Sequence, residues 1–372
     1  MYLLFFMPVH TPFILPSRWG HIVWVHFIYA VIIMALQISG QEKMNVTEKA
    51  DIKNGTGIRK KRRLWLKILG GIVGALVLFM GIVFVVHVIS KGIEKKKIEP
   101  YGQTVSVDGK QMNVYIQGSG AQTIVLLPGQ GTPSPVLDFK LLIDELSPDY
   151  RVVAIEPFGY GLSDTTEKAR TTENIVSEIH EAVQQLDIDR YILMGHSITG
   201  LYGVSYVNSY PDEVLAFVGI DSSVPNQPGM DVKLPLKTMQ FMQKSGLMRF
   251  LQKVSGDSYA SLDYDEHTKE QIRLITNKVG SNKTLMNELK HLGSNFKNGE
   301  KLTYPNDLPL LLFVQSNNEQ NDQWIPLHEA QVKQSALGLM IPMEGSHYLH
   351  HTKYKEIAAD FKEYMKTIQT SN

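Results

Sequence analysis

The stretch Tyr191-Ile-Leu-Met-Gly-His-Ser197-Ile-Thr-Gly200 holds the side chain best placed to do chemistry. Tyr191 to Met194 read as a buried strand, and Gly195-His196-Ser197 as a sharp turn. Leu201, Tyr202, Val204, Ser205 and Val207 then put apolar and small residues at helical spacing. A serine at the tip of a strand-to-helix turn has its hydroxyl held above the sheet edge. The helix that follows points its N-terminus at any anion formed there. The chemistry this suits is attack by the serine oxygen on an electrophilic carbon, with the resulting negative charge met by backbone amides.

Such a serine needs elements on either side to hold it. Thr104 to Gln117 alternates around Asp108-Gly109, a hairpin signal. Thr123 to Leu127 is a short buried strand, followed by Pro128-Gly129-Gln130-Gly131, and Pro135 to Leu146 reads as a helix. Arg151 to Glu156 is the next strand, and Thr172 to Leu186 carries Ile175, Ile179, Val183 and Leu186 at helical period. Val214 to Ile220 is a strand ending at Asp221; Leu310 to Val314 and Leu339 to Met343 are two more, and Tyr354 to Met365 is a closing amphipathic helix. Residues of about 225–305 break this rhythm as a mostly helical insertion. Strands alternating with helices predict an α/β fold with a mostly parallel sheet covered on both faces. Ligands of such sheets sit at the carboxyl ends of the strands.

Composition narrows the function classes. The chain has 372 residues, room for one large α/β domain plus extras. Its 37 basic residues balance its 37 acidic ones, so nothing in the charge points to nucleic acid as a partner. It has no cysteine, which excludes disulfides, thiolate metal sites and cysteine nucleophiles together.

The N-terminal part is different in kind. Residues 1–43 contain an apolar run, Ile22 to Ile38, that is a first membrane span, an uncleaved signal, or part of a segment preceding the true start at Met44. Residues 44–63 are polar and end in Arg59-Lys60-Lys61-Arg62-Arg63. Leu64 to Ile89 is nearly continuous apolar sequence, long enough to cross a hydrocarbon core of about 30 Å. The basic cluster before it, set against Lys91, Lys95, Lys96 and Lys97 diluted by Glu94 after it, places the N-side in the cytoplasm. The expectation is a membrane-anchored protein, with residues 90–103 a linker and a domain over 104–372 outside the cell membrane.

Four signatures in chain order together resemble the α/β-hydrolase superfamily, over about residues 100–370. Gly195-His196-Ser197-Ile198-Thr199-Gly200 is similar to its nucleophile elbow, with Thr199 where the fifth residue is usually Gly. Pro128-Gly129-Gln130-Gly131 stands where the family has its oxyanion turn, with Pro128 for the usual His. Glu156 to Asp164 matches the Asp-x-x-Gly-x-Gly-x-Ser loop with Glu first, and Gly345-Ser346-His347 looks like the catalytic histidine turn. The resemblance implies a Ser-then-acid-then-His order, an α/β-hydrolase fold, and a helical lid over about 225–305.

By that resemblance Ser197 is the nucleophile and His347 the base, with His350 and His351 as rivals further from the strand end. Asp322 is the leading acid, because Asp322-Gln-Trp-Ile-Pro326 matches an Asp-x-x-Ile-Pro pattern. Glu319 is the alternative, at the shorter distance after its strand, and Asp221 comes third because some relatives carry the acid there. The backbone amides of Gln130 and Ile198 are the expected oxyanion donors. Neither metal nor organic cofactor is expected. Leu236, Met239, Phe241, Met242, Leu247, Met248, Phe250 and Leu251 make an apolar set that either receives an acyl or other apolar substrate or packs on the core. The function expected is ester hydrolysis through an acyl-serine. Amide, peptide or C–C bond cleavage by the same triad is one alternative, and a non-catalytic ligand-binding domain is another.

Overall fold

The computed structural model describes residues 55–231, 234–280, 282–318 and 321–370. The apolar run at Ile22 to Ile38 and the candidate acid Glu319 lie outside the described residues. The first element, α1 (Gly55–Lys95), contains one stretch, Arg62–Lys95, long and apolar enough to cross a membrane, and little of it is buried in the protein.

Eight strands follow: β1 (Gln103–Val107), β2 (Lys110–Gln117), β3 (Thr123–Leu127), β4 (Arg151–Glu156), β5 (Tyr191–His196), β6 (Val214–Ile220), β7 (Leu310–Gln315) and β8 (Gly338–Met343). They form one sheet in the order β1-β2-β4-β3-β5-β6-β7-β8. β1 and β2 form an antiparallel hairpin whose turn uses Asp108 and Gly109 at φ +48° and +71°, the left-handed pair that a two-residue turn requires. β2 is antiparallel to β4, and every later pairing is parallel. The mostly parallel sheet expected from the strand-helix alternation is therefore present.

Parallel strands buried on both faces must be apolar at successive positions, and the two faces divide the residues in alternation. Val125, Leu127, Leu193, Phe217 and Leu312 pack with α4 (Thr172–Gln184) and α5 (Thr199–Ser209) through Ile175, Ile179, Leu201 and Val204. Ile124, Leu126, Ile192, Val218 and Phe313 face α3 (Lys140–Leu146) and the last helix, Tyr354–Thr370, through Leu142, Leu146, Ile357 and Phe361. Each such side chain is fully buried, so cutting Phe313 back to Ala would cost roughly 3–5 kcal/mol.

Between β6 and β7 the chain leaves the sheet. It forms α6 (Leu236–Lys244), α7 (Leu247–Ser255), α8 (Glu266–Val279) and α9 (Lys283–Gly299). Asp265 and Asn282 cap α8 and α9, each side chain accepting from the amide three residues on. The remaining helices are α2 (Pro135–Asp138), α10 (Trp324–Val332), α11 (Leu349–Thr352) and α12, the Tyr354–Thr370 helix already described. The carboxyl ends of β3, β5, β6 and β8 lead into the residues described next.

Candidate active site

Ser197 sits between β5 and α5 with φ +53°, in the left-handed region a non-glycine residue adopts only under constraint. Two backbone bonds hold it there: its amide donates to the Ile220 carbonyl at 3.2 Å, and its carbonyl accepts from Ser223 at 2.7 Å. The neighbourhood is too close for side chains. A Cβ at Gly200 would lie 2.0 Å from the Ser223 carbonyl oxygen, and one at Gly195 would lie 2.2 Å from Thr199 Cγ2. Thr199 is itself buried, and its hydroxyl donates to the Pro128 carbonyl at 2.9 Å, tying the serine turn to the turn after β3.

His347 follows β8 and lies within hydrogen-bond reach of two partners. Its Nε2 is 2.9 Å from Ser197 Oγ, and its Nδ1 is 2.6 Å from Asp221 Oδ2. A carboxylate only accepts, so the Nδ1 proton points to Asp221 and Nε2 is left to accept from the serine hydroxyl. Asp221 is fully buried at the end of β6, again with positive φ, +42°. Its other oxygen, Oδ1, accepts from the Gln315 amide at 2.8 Å and the Trp324 indole at 2.7 Å. Those bonds fix the carboxylate plane and leave Oδ2 for the imidazole.

This corrects the expectation that Asp322 faces His347. Asp322 is exposed on the loop before α10, and the residue that turns inward is Trp324, the first of α10, which donates to Asp221. Asp221 occupies His347 Nδ1. The two rival histidines are also placed elsewhere. His350 and His351 are buried, and their Nε2 atoms bond to separate oxygens of Asp138 at 2.8 and 2.7 Å. Asp138, His350 and His351 offer ligand-type atoms within 4.8 Å of one another, as a metal site would. The carboxylate, however, already takes both imidazoles and the Tyr259 hydroxyl directly, as a hydrogen-bonded strut between α2, α11 and the helical insertion.

Gln130 lies on the turn after β3. Its neighbours' amides are engaged: Thr132 donates to the Gly129 carbonyl at 3.2 Å, and Gly131 donates to the Tyr160 hydroxyl at 3.2 Å. The turn lies against the serine, since a Cβ at Gly129 would be 2.4 Å from His196 Nδ1 and 3.2 Å from Ser197 Cβ. Ile198 occupies the N-cap of α5, where a helix leaves its amides without intrahelical partners.

A buried carboxylate that sequence reading passed over, Glu288, joins this turn to the insertion. Tyr160 donates to Glu288 on α9 at 2.9 Å, and Tyr202 donates to the same carboxylate at 2.8 Å. Burial raises Glu288 above the usual carboxylate range, against the pull of Arg170 and the two phenols. Only the fold brings Glu288 to Tyr160; no local motif announces it. Glu156, the first residue of the loop signature, is buried. It accepts from the Leu162 amide at 2.7 Å, the Asn113 side chain at 2.9 Å and the Tyr101 hydroxyl at 2.8 Å.

A cavity opens beside Gln130, Gly131 and Tyr348 and runs beneath α6 and α7. Met239, Met248, Leu285 and Met286 give it an apolar lining, with Gln243 and Arg249 among its polar groups.

The comparisons agree with this architecture. Residues 122–272 match the family described as alpha/beta hydrolase fold. The uncharacterized protein YbdG of Bacillus subtilis is 28% identical over 263 residues, covering 68% of this chain and 81% of YbdG. Karrikin insensitive 2 receptor CA of Petunia hybrida is 31% identical over 115 residues, which is 30% of this chain and 42% of that protein. Among solved structures, epoxide hydrolase VrEH1 from Vigna radiata superposes with a TM-score of 0.55 at 17% identity, covering 71% of this chain and 97% of that one. The enol-lactonase from Burkholderia xenovorans LB400 superposes with a TM-score of 0.52 at 16% identity, covering 71% of this chain and 100% of that one.

Proposed function

We propose that the protein, whose residues 122–272 match the α/β-hydrolase family, is a hydrolase that cleaves a carboxylic ester through an acyl intermediate on Ser197. The observation that carries this reading is His347 in hydrogen-bond contact with both Ser197 Oγ and Asp221 Oδ2. His347 Nε2 takes the Ser197 proton as Oγ attacks the ester carbonyl. The carbonyl oxygen becomes an oxyanion between the Ile198 and Gln130 amides, a donor pair in which each member is worth roughly 10²–10³ in kcat. The imidazolium then protonates the departing alcohol. Water deprotonated by the same nitrogen releases the acid and restores Ser197. Asp221 holds the imidazole in the needed tautomer and stabilises its charged form.

Cleavage of amide or C–C bonds would use the same groups. The Met-lined cavity favours an ester with an apolar acyl group, because flexible thioethers adapt to chains of varied shape. We also propose that α1 anchors the protein in a membrane, with the basic run ending at Arg63 on the cytoplasmic side and the catalytic domain on the other. The test is labelling by a fluorophosphonate probe in membranes. The expected result is one adduct on Ser197, absent in Ser197→Ala. A folded wild-type protein that takes no label refutes the acyl-serine reading.

A further inference from the structure

The insertion has an outer face as well as a cavity-facing one. Outside α1, the exposed large apolar side chains among the described residues are Phe241, Phe250, Leu251, Val254 and Leu339. All but Leu339 belong to the α6–α7 hairpin. An apolar strip of this kind on a short amphipathic helix suits the boundary of a bilayer.

The contacts with α1 say where that strip sits. A hydrocarbon core takes about 20 helical residues, and any window of about that length within Leu64–Ile89 contains residues 70–83. Phe79 is therefore inside the hydrocarbon in every such placement, roughly 6–15 Å from its domain-side edge at about 1.5 Å per residue. The Phe250 ring meets Phe79 edge to face at 5.3 Å between centroids, so Phe250 shares that depth. The turn between α6 and α7 crosses α1 directly: a Cβ at Gly246 would lie 2.5 Å from His87 Cβ and 3.1 Å from the Val83 carbonyl oxygen. Closer to the domain, Arg249 bonds Glu94 at 2.5 Å and His87 at 3.3 Å, and Asn277 on α8 bonds Glu94 at 3.2 Å. The apolar contact is deep and the charged ones are shallow, the order a membrane surface imposes.

The other face of the same hairpin roofs the cavity, through Met239, Gln243, Met248 and Gln252. The cavity has His87 of α1 in its wall and also Gln130 and Gly131 of the turn against Ser197. We propose that the α6–α7 hairpin lies in the domain-side leaflet crossed by α1, and that the cavity beneath it takes acyl esters whose chain resides in that leaflet, entering beside His87. The substrate class rests on the acyl-serine reading above; the seat of the hairpin does not.

The absence of cysteine from the chain makes the test clean. In full-length protein reconstituted in phosphatidylcholine vesicles, bimane is attached at Val254→Cys, with Leu76→Cys on α1 and Lys366→Cys on α12 as references. Lipid carrying a nitroxide on acyl carbon 5 or 12 is expected to quench the Val254 label as it does the Leu76 label. Quenching no greater than at Lys366 overturns the placement. In a second arm, turnover of monooleoylglycerol in the vesicles is compared with that of p-nitrophenyl acetate in solution. Combining Leu251→Asp with Val254→Asp is expected to lower the oleoyl-to-acetyl turnover ratio at least tenfold. An unchanged ratio, or a wild type that cleaves only the acetate, overturns the substrate class. Fluorophosphonate labelling in the same vesicles separates the two readings. Labelled Ser197 with no lipid quenching sinks the membrane seat alone, whereas quenching without label sinks the hydrolase mechanism alone.

Discussion

Replacing Asp221 by Asn tests the site most sharply, because the structure says what the substitution would and would not disturb. Asn is isosteric and tolerates left-handed backbone, so φ +42° adds little strain. With Oδ1 kept on the Gln315 amide and the Trp324 indole, the buried anchor survives. The change falls on the atom 2.6 Å from His347 Nδ1, where an acceptor becomes an N–H donor. Nδ1 must then accept, the ring proton moves to Nε2, and Nε2 can no longer take the Ser197 proton across 2.9 Å. Losing the correct tautomer in such triads costs about 10⁴ in kcat, which at 1.36 kcal/mol per factor of ten is about 5 kcal/mol of barrier. The assay is the rate of Ser197 acylation by a fluorophosphonate or an activated aryl ester, in protein whose melting temperature matches wild type. Asp322→Asn is the control and is expected to stay within about threefold, as surface changes do. If Asp221→Asn acylates at the wild-type rate, or Asp322→Asn falls as far, the assignment of the acid is wrong.

Three further outcomes follow from neighbouring contacts. Thr199→Val keeps the shape beneath Gly195 but removes the bond to the Pro128 carbonyl; a stability loss of about 1 kcal/mol is expected, read by chemical denaturation, with slower acylation. Glu288→Leu strips the acceptor from two buried tyrosine hydroxyls at about 1–3 kcal/mol each, and loosens the Tyr160 bond to the Gly131 amide. Acylation should fall about tenfold, and Glu288→Gln, which keeps a carbonyl acceptor, should recover much of it. Burial, and after it the adjoining His351, pulls His350 down to about 4. The unfolded imidazole, near 6.5, takes its proton first, so the contribution of His350 to stability falls as pH drops from about 6.5 to about 4 and levels off below. The loss is roughly 3 kcal/mol at most, at 1.36 kcal/mol per pH unit. His196, also lowered by burial, adds in the same direction. Denaturation curves at several pH values should show the slope, and His350→Asn should flatten it.

What could be read from sequence divides by distance along the chain. The serine turn is local: strand, glycine, serine and helix lie within Tyr191–Gly200, and the residue that requires Gly195, Thr199, lies in the same stretch. The sheet was readable for a similar reason, since apolar runs buried on both faces leave few alternatives. The acid was not readable. Asp221 and Asp322 each follow a strand, and choosing between them depends on the pairing of Ile220 with Phe313 and on Trp324 turning inward to Asp221. The apolar set over residues 236–251 was ambiguous between substrate pocket and core packing. It serves two faces, with Met239 and Met248 on the cavity and Phe241 and Phe250 outward. Helical period shows that two faces exist, but not that α1 meets one of them 162 residues away in sequence, as Arg249 meets His87.

Thr199 shows why a departure from a motif has to be judged in three dimensions. Read along the chain, a threonine in place of the usual glycine crowds the serine turn. In the fold, the close approach that demands glycine has moved to Gly200 against the Ser223 backbone, and to Gly195, whose missing side chain gives Thr199 its room. The hydroxyl then bonds the Pro128 carbonyl, on the turn that would supply the Gln130 amide to an oxyanion. A glycine there could make no such bond. The positive φ of Ser197 represents strain of order 1–3 kcal/mol that surrounding contacts must offset, and the Thr199 bond contributes to that while fixing the two turns against each other. This is why Thr199→Val, which changes one hydroxyl and almost no volume, should slow acylation as well as weaken the fold. Crowding alone would predict that the smaller Thr199→Gly is the more active enzyme, and the hydrogen bond predicts the reverse.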